Sequence, residues 1–156
     1  MSEVDVDMWL DWFRAKVKVR SQERDILTKI HESTHSKFEQ LLEGPRETLL
    51  ENVREFLRER IRYQLAMDND LRLCRNETKN CRLKNPNDTR CKDLSDLCVE
   101  LHKISTQVLP WIYWREEEFL KTILTPDEYE GLRKDVINDL LLYSKIGDRE
   151  AMTFWG

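Results

Sequence analysis

Glycine and proline are scarce, four of each in 156 residues, which excludes a collagen-like repeat and a chain built from flexible linkers. No apolar run approaches the roughly 18 residues of a membrane-spanning helix. The opening Met1-Ser2-Glu3-Val4-Asp5 has neither the basic flank nor the apolar centre of a secretory signal, and it is acidic where a matrix-targeting peptide is rich in arginine. A formal net charge of -4 excludes a generally basic nucleic-acid binder, so no nucleic-acid partner is expected. Phosphate loop, dinucleotide fingerprint and nucleophile elbow are all missing, and no cofactor is expected. No convincing strand is visible.

What is present is helical period, in a chain whose 36% of charged residues predicts long solvated helices. Trp9, Trp12, Phe13 and Lys16 to Val19 recur at three to four residues, and the spacing resumes at Leu27, Ile30, Thr34, Phe38 and Leu41 after a charged stretch around Ser21 to Asp25. These form one interrupted helix or two. Gly44 can take the left-handed conformation that ends a helix and Pro45 cannot continue the ladder, so a stop is expected there. The next helix starts near Pro45 and runs to about Cys74, with Leu49, Leu50, Val53, Leu57, Ile61, Gln64, Leu65 and Leu71 as its buried stripe. Glu51, Arg54, Glu55, Arg58 and Glu59 supply i,i+4 pairs on its outer side. Lys84-Asn85-Pro86-Asn87-Asp88 is turn chemistry, with φ fixed at proline and self-bonding Asn and Asp side chains. A helix through Leu94, Leu97, Val99, Leu101, Ile104 and Val108 follows, and Pro110 either kinks it or opens a new one through Trp111-Ile112-Tyr113-Trp114. Thr125-Pro126-Asp127-Glu128 reads as a capped start for a last helix with Tyr129, Leu132, Val136, Leu140 and Tyr143 on its apolar side, ending near Gly147. The expected fold is an all-α bundle: a single helical domain over 1–156 with a cysteine hairpin at about 46–109.

Cys74, Cys81, Cys91 and Cys98 lie symmetrically about the turn, two pairs each seven apart. Seven residues turn a helix through about 700°, so each pair faces one way, but its members sit roughly 10 Å apart along the axis. A disulfide needs α-carbons within about 7 Å, so neither pair closes within one helix. If the helices fold back at Pro86, the geometry favours Cys74 with Cys98 and Cys81 with Cys91. Three readings compete: two disulfides in an oxidising compartment, a four-cysteine zinc site whose usual ligand spacing of two to four residues is absent, and reduced, partly buried thiols. The disulfides are the reading taken forward.

His31-Glu32-Ser33-Thr34-His35 matches H-E-x-x-H, in which two imidazoles one turn apart bind zinc and the Glu activates a water. On this alternative His31 and His35 are ligands, Glu32 is the base, and Glu55 or Glu59 supplies a third ligand. Hydroxyl and charged neighbours, Ser33, Thr34, Ser36 and Lys37, and the lack of a strand to hold a peptide favour two ordinary surface histidines instead. His102 reads as a plain helix residue. Two features concern surfaces: the i,i+3 pairs Trp9/Trp12 and Trp111/Trp114, with Trp155 at the C-terminal end, are candidate interface residues against a core-packing default. From Arg72 to Lys92 there are seven basic residues against Glu77 and Asp88, a local charge of +5 at the hairpin tip that phospholipid headgroups, an acidic subunit or RNA could meet, with a solvated loop as the default. Glu116-Glu117-Glu118 reads as an exposed helical face. Asn76-Glu77-Thr78 and Asn87-Asp88-Thr89 are glycosylation sequons, which support a secreted or viral helical ectodomain as another alternative.

The segment Cys74 to Cys98 resembles the paired-cysteine helical hairpins of the coiled-coil-helix class, which are oxidised in the mitochondrial intermembrane space. Val53-Arg54-Glu55-Phe56-Leu57 ahead of Cys74-Arg75-Asn76-Glu77-Thr78-Lys79-Asn80-Cys81, with Cys91-Lys92-Asp93-Leu94 beyond, is similar to the PDSW accessory-subunit family of respiratory complex I. The likeness covers about residues 45 to 105, and the tail from Pro110 has no counterpart in it. It implies a non-catalytic subunit at the intermembrane-space face of the inner membrane, with other subunits of a large membrane complex as partners, possible contact with the membrane surface, and structural cysteines.

Overall fold

Val6, Leu10, Phe13, Val17, Arg20, Leu27 and His31 recur at three- and four-residue steps, with one step of seven, so they share one side of a helix. In the computed structural model, which describes residues 3–146, they form the inner seam of α1 (Glu3–His31). The remaining helices are α2 (Thr34–Leu41), α3 (Arg46–Lys84), α4 (Arg90–Thr106), α5 (Val108–Ile123) and α6 (Pro126–Ile146), and no strand occurs among the described residues. The all-α bundle is the fold. None of these helices is long and apolar enough to cross a membrane.

α3 is the spine. At 39 residues it spans about 58 Å, and it is long enough for two groups of partners. α3 folds back on α4, takes α1 alongside and carries α2 and α6; α5 meets it through Tyr113 against Phe56 and Tyr63 and through the Arg60–Glu117 pair. α1 runs antiparallel to α3, Arg20 meeting Asp70 and His31 meeting Glu59, and α6 runs parallel to α3, Arg46 meeting Glu128 and Arg54 meeting Asp139. One apolar cluster joins Val6, Leu10 and Phe13 to Leu71, Leu94, Leu101 and the cysteines; the other gathers Phe38, Leu49, Val53, Phe56, Leu57, Tyr113, Leu120, Val136 and Leu140 around the start of α3. Val17 packs against both. Phe13 and Leu101 are fully enclosed, and burial of such a side chain contributes about 1.5–3 kcal/mol.

The boundaries differ from the expected ones where local chemistry competes with the helix. α1 runs without a break through Ser21 to Asp25 and stops instead at His31; the Ser33 hydroxyl turns back to the Ile30 carbonyl, and the Thr34 hydroxyl meets the His31 ring. Gly44 does not take a left-handed conformation. Its N–H donates to the Leu41 carbonyl at 3.2 Å, and Pro45 at φ -59°, ψ 137° is the extended residue from which α3 departs. α3 continues ten residues past Cys74, to Lys84. Asn85 leaves the helix because the following proline disfavours helical backbone before it, and Asp88 then accepts the Arg90 N–H at 2.9 Å to start α4.

α4 ends at Thr106, where Ser105 and Thr106 hydroxyls bond back to the His102 carbonyl and Gln107 is extended. Pro110 opens α5 rather than kinking α4: it sits within the first turn, where a backbone N–H has no helical acceptor in any case. The start of α6 is a reciprocal capping box, Glu128 N–H to Thr125 Oγ1 at 3.1 Å and Thr125 N–H to Glu128 Oε1 at 2.9 Å. Within α3 the buried stripe passes through Tyr63, Ala66 and Met67, leaving Gln64 and Leu65 exposed. Arg54 and Arg58 reach Asp135 and Asp139 of α6 instead of pairing along their own helix. Tyr143, Gly147 and Trp155 lie outside the residues whose side chains are described.

Candidate functional site

A seven-residue step returns nearly to the same side of a helix, so an antiparallel pair of helices brings Cys74 opposite Cys98 and Cys81 opposite Cys91. Both are disulfides, with α-carbon separations of 5.7 and 5.6 Å, and no cysteine among the described residues is free. They sit two turns apart on the α3–α4 hairpin and within the α1–α3–α4 cluster, with Cys74 wholly buried. The Thr78 hydroxyl, buried beside the outer bridge, donates to the Cys74 carbonyl at 2.8 Å and lies 3.4 Å from Cys98 Sγ. Both sequon asparagines are exposed, Asn76 on α3 with its Thr78 packed inward and Asn87 in the connecting turn.

The helix break at Glu32-Ser33 splits the histidine motif. His31 is the last residue of α1, His35 lies in α2, and Glu32 is exposed between them. His31 is not a surface histidine: it is buried against Phe56 and Tyr113, its Nδ1 2.8 Å from Thr34 Oγ1 and its Nε2 3.2 Å from Glu59 Oε1. His35 holds Glu116 at 3.0 Å through Nδ1 and Glu39 at 2.8 Å through Nε2, with its ring against Phe119. All four ring nitrogens are engaged, and the two rings face different partners. Among the described residues no three His, Cys, Asp or Glu side chains converge as a metal site. The motif is used to fasten α1 and α2 to α3 and α5.

Glu116 departs furthest from expectation. Read as part of an exposed acidic run, it is completely enclosed, receiving His35 and the Arg115 Nε at 2.7 Å. Glu117 receives the Tyr129 hydroxyl at 3.0 Å and pairs with Arg60, so only Glu118 of the three is fully on the surface. A second buried pair stands in the α1–α3 seam: Arg20 Nε donates to Asp70 Oδ2 at 2.7 Å, with Lys16 3.8 Å from the other carboxylate oxygen. Burial pushes the Asp70 carboxyl up and the Lys16 ammonium down. Tyr63 is pushed up to about 12, first by burial and then by Glu23. The signal for Arg20 was in the sequence, since it occupies the seam position between Phe13 and Leu27, but its acid lies fifty residues away.

The tryptophans divide. Trp9 stacks on Phe13 with ring centroids 5.6 Å apart and is half-buried. Trp12 lies outward with Lys16 over its ring at 5.0 Å. Trp111 and Trp114 pack edge to face against each other at 66% and 58% exposure, so that pair belongs to the surface and not to the core. At the hairpin tip, Arg90 is bound to Asp88 and Asp7, whereas Arg75, Lys79 and Arg82 line an open groove between α3 and α4. Comparison of the chain with protein-family models, with curated proteins and with solved structures finds no match.

Proposed function

We propose that the protein is a non-catalytic structural or accessory subunit of a mitochondrial membrane complex, most simply respiratory complex I, held peripherally on the intermembrane-space side of the inner membrane. The observation that carries the reading is the doubly bridged antiparallel hairpin, Cys74–Cys98 and Cys81–Cys91, set two turns apart on the longest helix. Two disulfides call for an oxidising compartment, and cysteines paired across a helical hairpin are the feature in which the chain resembles the coiled-coil-helix class. Supporting it, the ionisable groups brought together inside the bundle fasten helices to one another, and the aromatic pair Trp111/Trp114 is left facing outward as anchors face a partner or a membrane interface.

The test uses protein from its native source. Thiols are trapped on lysis, mitochondria are fractionated, and the inner-membrane complexes are separated on a native gel. Four protected cysteines, accessibility from the intermembrane-space side and co-migration with a large membrane complex are the expected outcome. Four free thiols, a cytosolic location, or a glycan at Asn76 or Asn87 would overturn the proposal.

A further inference from the structure

An antiparallel helical hairpin has two long grooves, one on each side of the plane of its axes. In this protein α1 fills one of them, burying Val6, Leu10 and Phe13 against the hairpin and offering Asp7 to Arg90 at 3.0 Å. The other groove contains no residue of α1. It is a channel of about 580 Å³ whose α3 wall carries Arg75, Lys79, Arg82 and Leu83 and whose α4 wall carries Val99 and His102.

Three features mark that groove as an interface. Leu83 and Val99 are 71% and 50% exposed, apolar surface of the kind its opposite number has covered. Arg75, Lys79 and Arg82 fall at i, i+4 and i+7, one stripe about 10 Å long, and none of the three has an ion-pair partner among the described residues. Elsewhere in the bundle the cations at helix contacts are matched: Arg20 with Asp70, Arg46 with Glu128, Arg54 with Asp139, Arg60 with Glu117. No Asp or Glu lines the groove.

We infer that the α3–α4 groove opposite α1 is the docking site for an acidic amphipathic helix of another polypeptide. Its apolar side covers Leu83 and Val99, and carboxylates spaced by helical turns meet Arg75, Lys79 and Arg82. α1 is the internal template for this mode, since it binds the same hairpin from the other side with an apolar seam and an aspartate on a hairpin arginine. A helix is favoured over a bilayer because the apolar surface lies between two helices in a concave channel with cations along one wall only. A flat lipid surface would meet the outer crests of such a channel and leave its floor uncovered. The inference rests on the scaffold reading for its biological setting but not for its physics, and its test is independent of where the protein resides.

The isotope-labelled, oxidised full chain is titrated with three probes. The first is a designed amphipathic helix with Glu at i, i+4 and i+7 beside a leucine stripe; the second is the same helix with Lys for Glu; the third is phosphatidylcholine vesicles containing an anionic phospholipid. The acidic helix is expected to bind, shifting amide signals of Leu83, Val99 and His102, while the basic helix leaves them unmoved. The triple variant Arg75→Gln, Lys79→Gln, Arg82→Gln changes only exposed side chains and keeps the fold. It should weaken binding about tenfold, the sum of three solvent-exposed ion pairs. Equal binding of the two helices, binding that the triple variant does not alter, shifts confined to other faces, or a response to anionic vesicles alone would each overturn the inference. So would self-association of the chain through these residues. The groove can fail this titration while native-source fractionation still places the protein in a membrane complex, and the reverse also holds.

Discussion

Removing the two disulfides one at a time should expose their nested geometry. Cys81–Cys91 joins residues ten apart, and closing that loop of about 11 residues in the unfolded chain is worth about 2.8 kcal/mol. With it in place, Cys74–Cys98 closes only a ring of about 16 residues, two helical legs joined across the inner bridge, worth about 3.1 kcal/mol. Loss of the outer bridge alone therefore costs about 3.1 kcal/mol. Loss of the inner bridge alone costs less, about 2.4 kcal/mol, because the outer bridge still closes a loop of about 25 residues. Together they supply about 5.9 kcal/mol, against the 5–15 kcal/mol by which domains are usually stable.

The assay is urea unfolding of the oxidised chain beside Cys74→Ala/Cys98→Ala and Cys81→Ala/Cys91→Ala. Each is repeated in reductant, so that the packing cost of losing buried sulfur can be subtracted. In thermal scans the outer pair should lower Tm by about 6–12 °C. Corrected losses below about 1 kcal/mol, or a larger loss for the inner bridge than for the outer, would refute the loop-closure reasoning.

The buried Arg20–Asp70 pair gives a second prediction: Asp70→Ala leaves the Arg20 guanidinium in the α1–α3 seam with only Glu23, at 3.2 Å, and should cost about 3 kcal/mol, whereas Arg20→Met with Asp70→Leu should come within about 1 kcal/mol of the parent. Similar losses in the two denaturant curves would show that the pair is not a desolvated one. At the start of α6, Glu128 is held down to about 2 by Arg46 and then by the Thr125 N–H. A depressed acid contributes stability that is complete above its ordinary value near 4.5 and is lost as the pH falls toward 2. Carboxyl NMR should place its titration near the bottom of that window, and Arg46→Gln should raise it; a midpoint near 4.5 in the parent would contradict the capping geometry. Trp111→Ser with Trp114→Ser removes exposed rings and should leave the isolated chain's stability within about 0.5 kcal/mol, while, on the proposed function, reducing its recovery with a membrane complex. A loss above 2 kcal/mol would mean that the pair packs inward.

Much of the fold was legible because its causes are local. Helical spacing, the Thr125-Pro126 start, the Asn85-Pro86 turn and the two cysteine pairs act through neighbouring backbone and side chains, and the pairing of Cys74 with Cys98 and Cys81 with Cys91 follows once the chain reverses. The length of α3 was not legible, since Arg75 to Lys84 has a polar outer side and its buried side is supplied by cysteines and Thr78. Nor was the fate of the H-E-x-x-H run. Its spacing is that of a metal site, but the Ser33-Thr34 hydroxyls end the helix inside it, and the rings then meet Glu59 and Glu116 from other helices.

What the amino-acid order determined by itself was the class of structure and the staple: helices wherever apolar residues return every three or four positions, and a hairpin whose cysteines can reach each other only across it. What tertiary structure alone decided was which charges meet inside the bundle. Asp70 and Glu116 read as ordinary helix acids because nothing within a turn of Asp70 announces Arg20, and nothing beside Glu116 announces His35. Those partners come from 50 and 81 residues away, and a carboxylate can lose its water only when packing delivers a donor in its place.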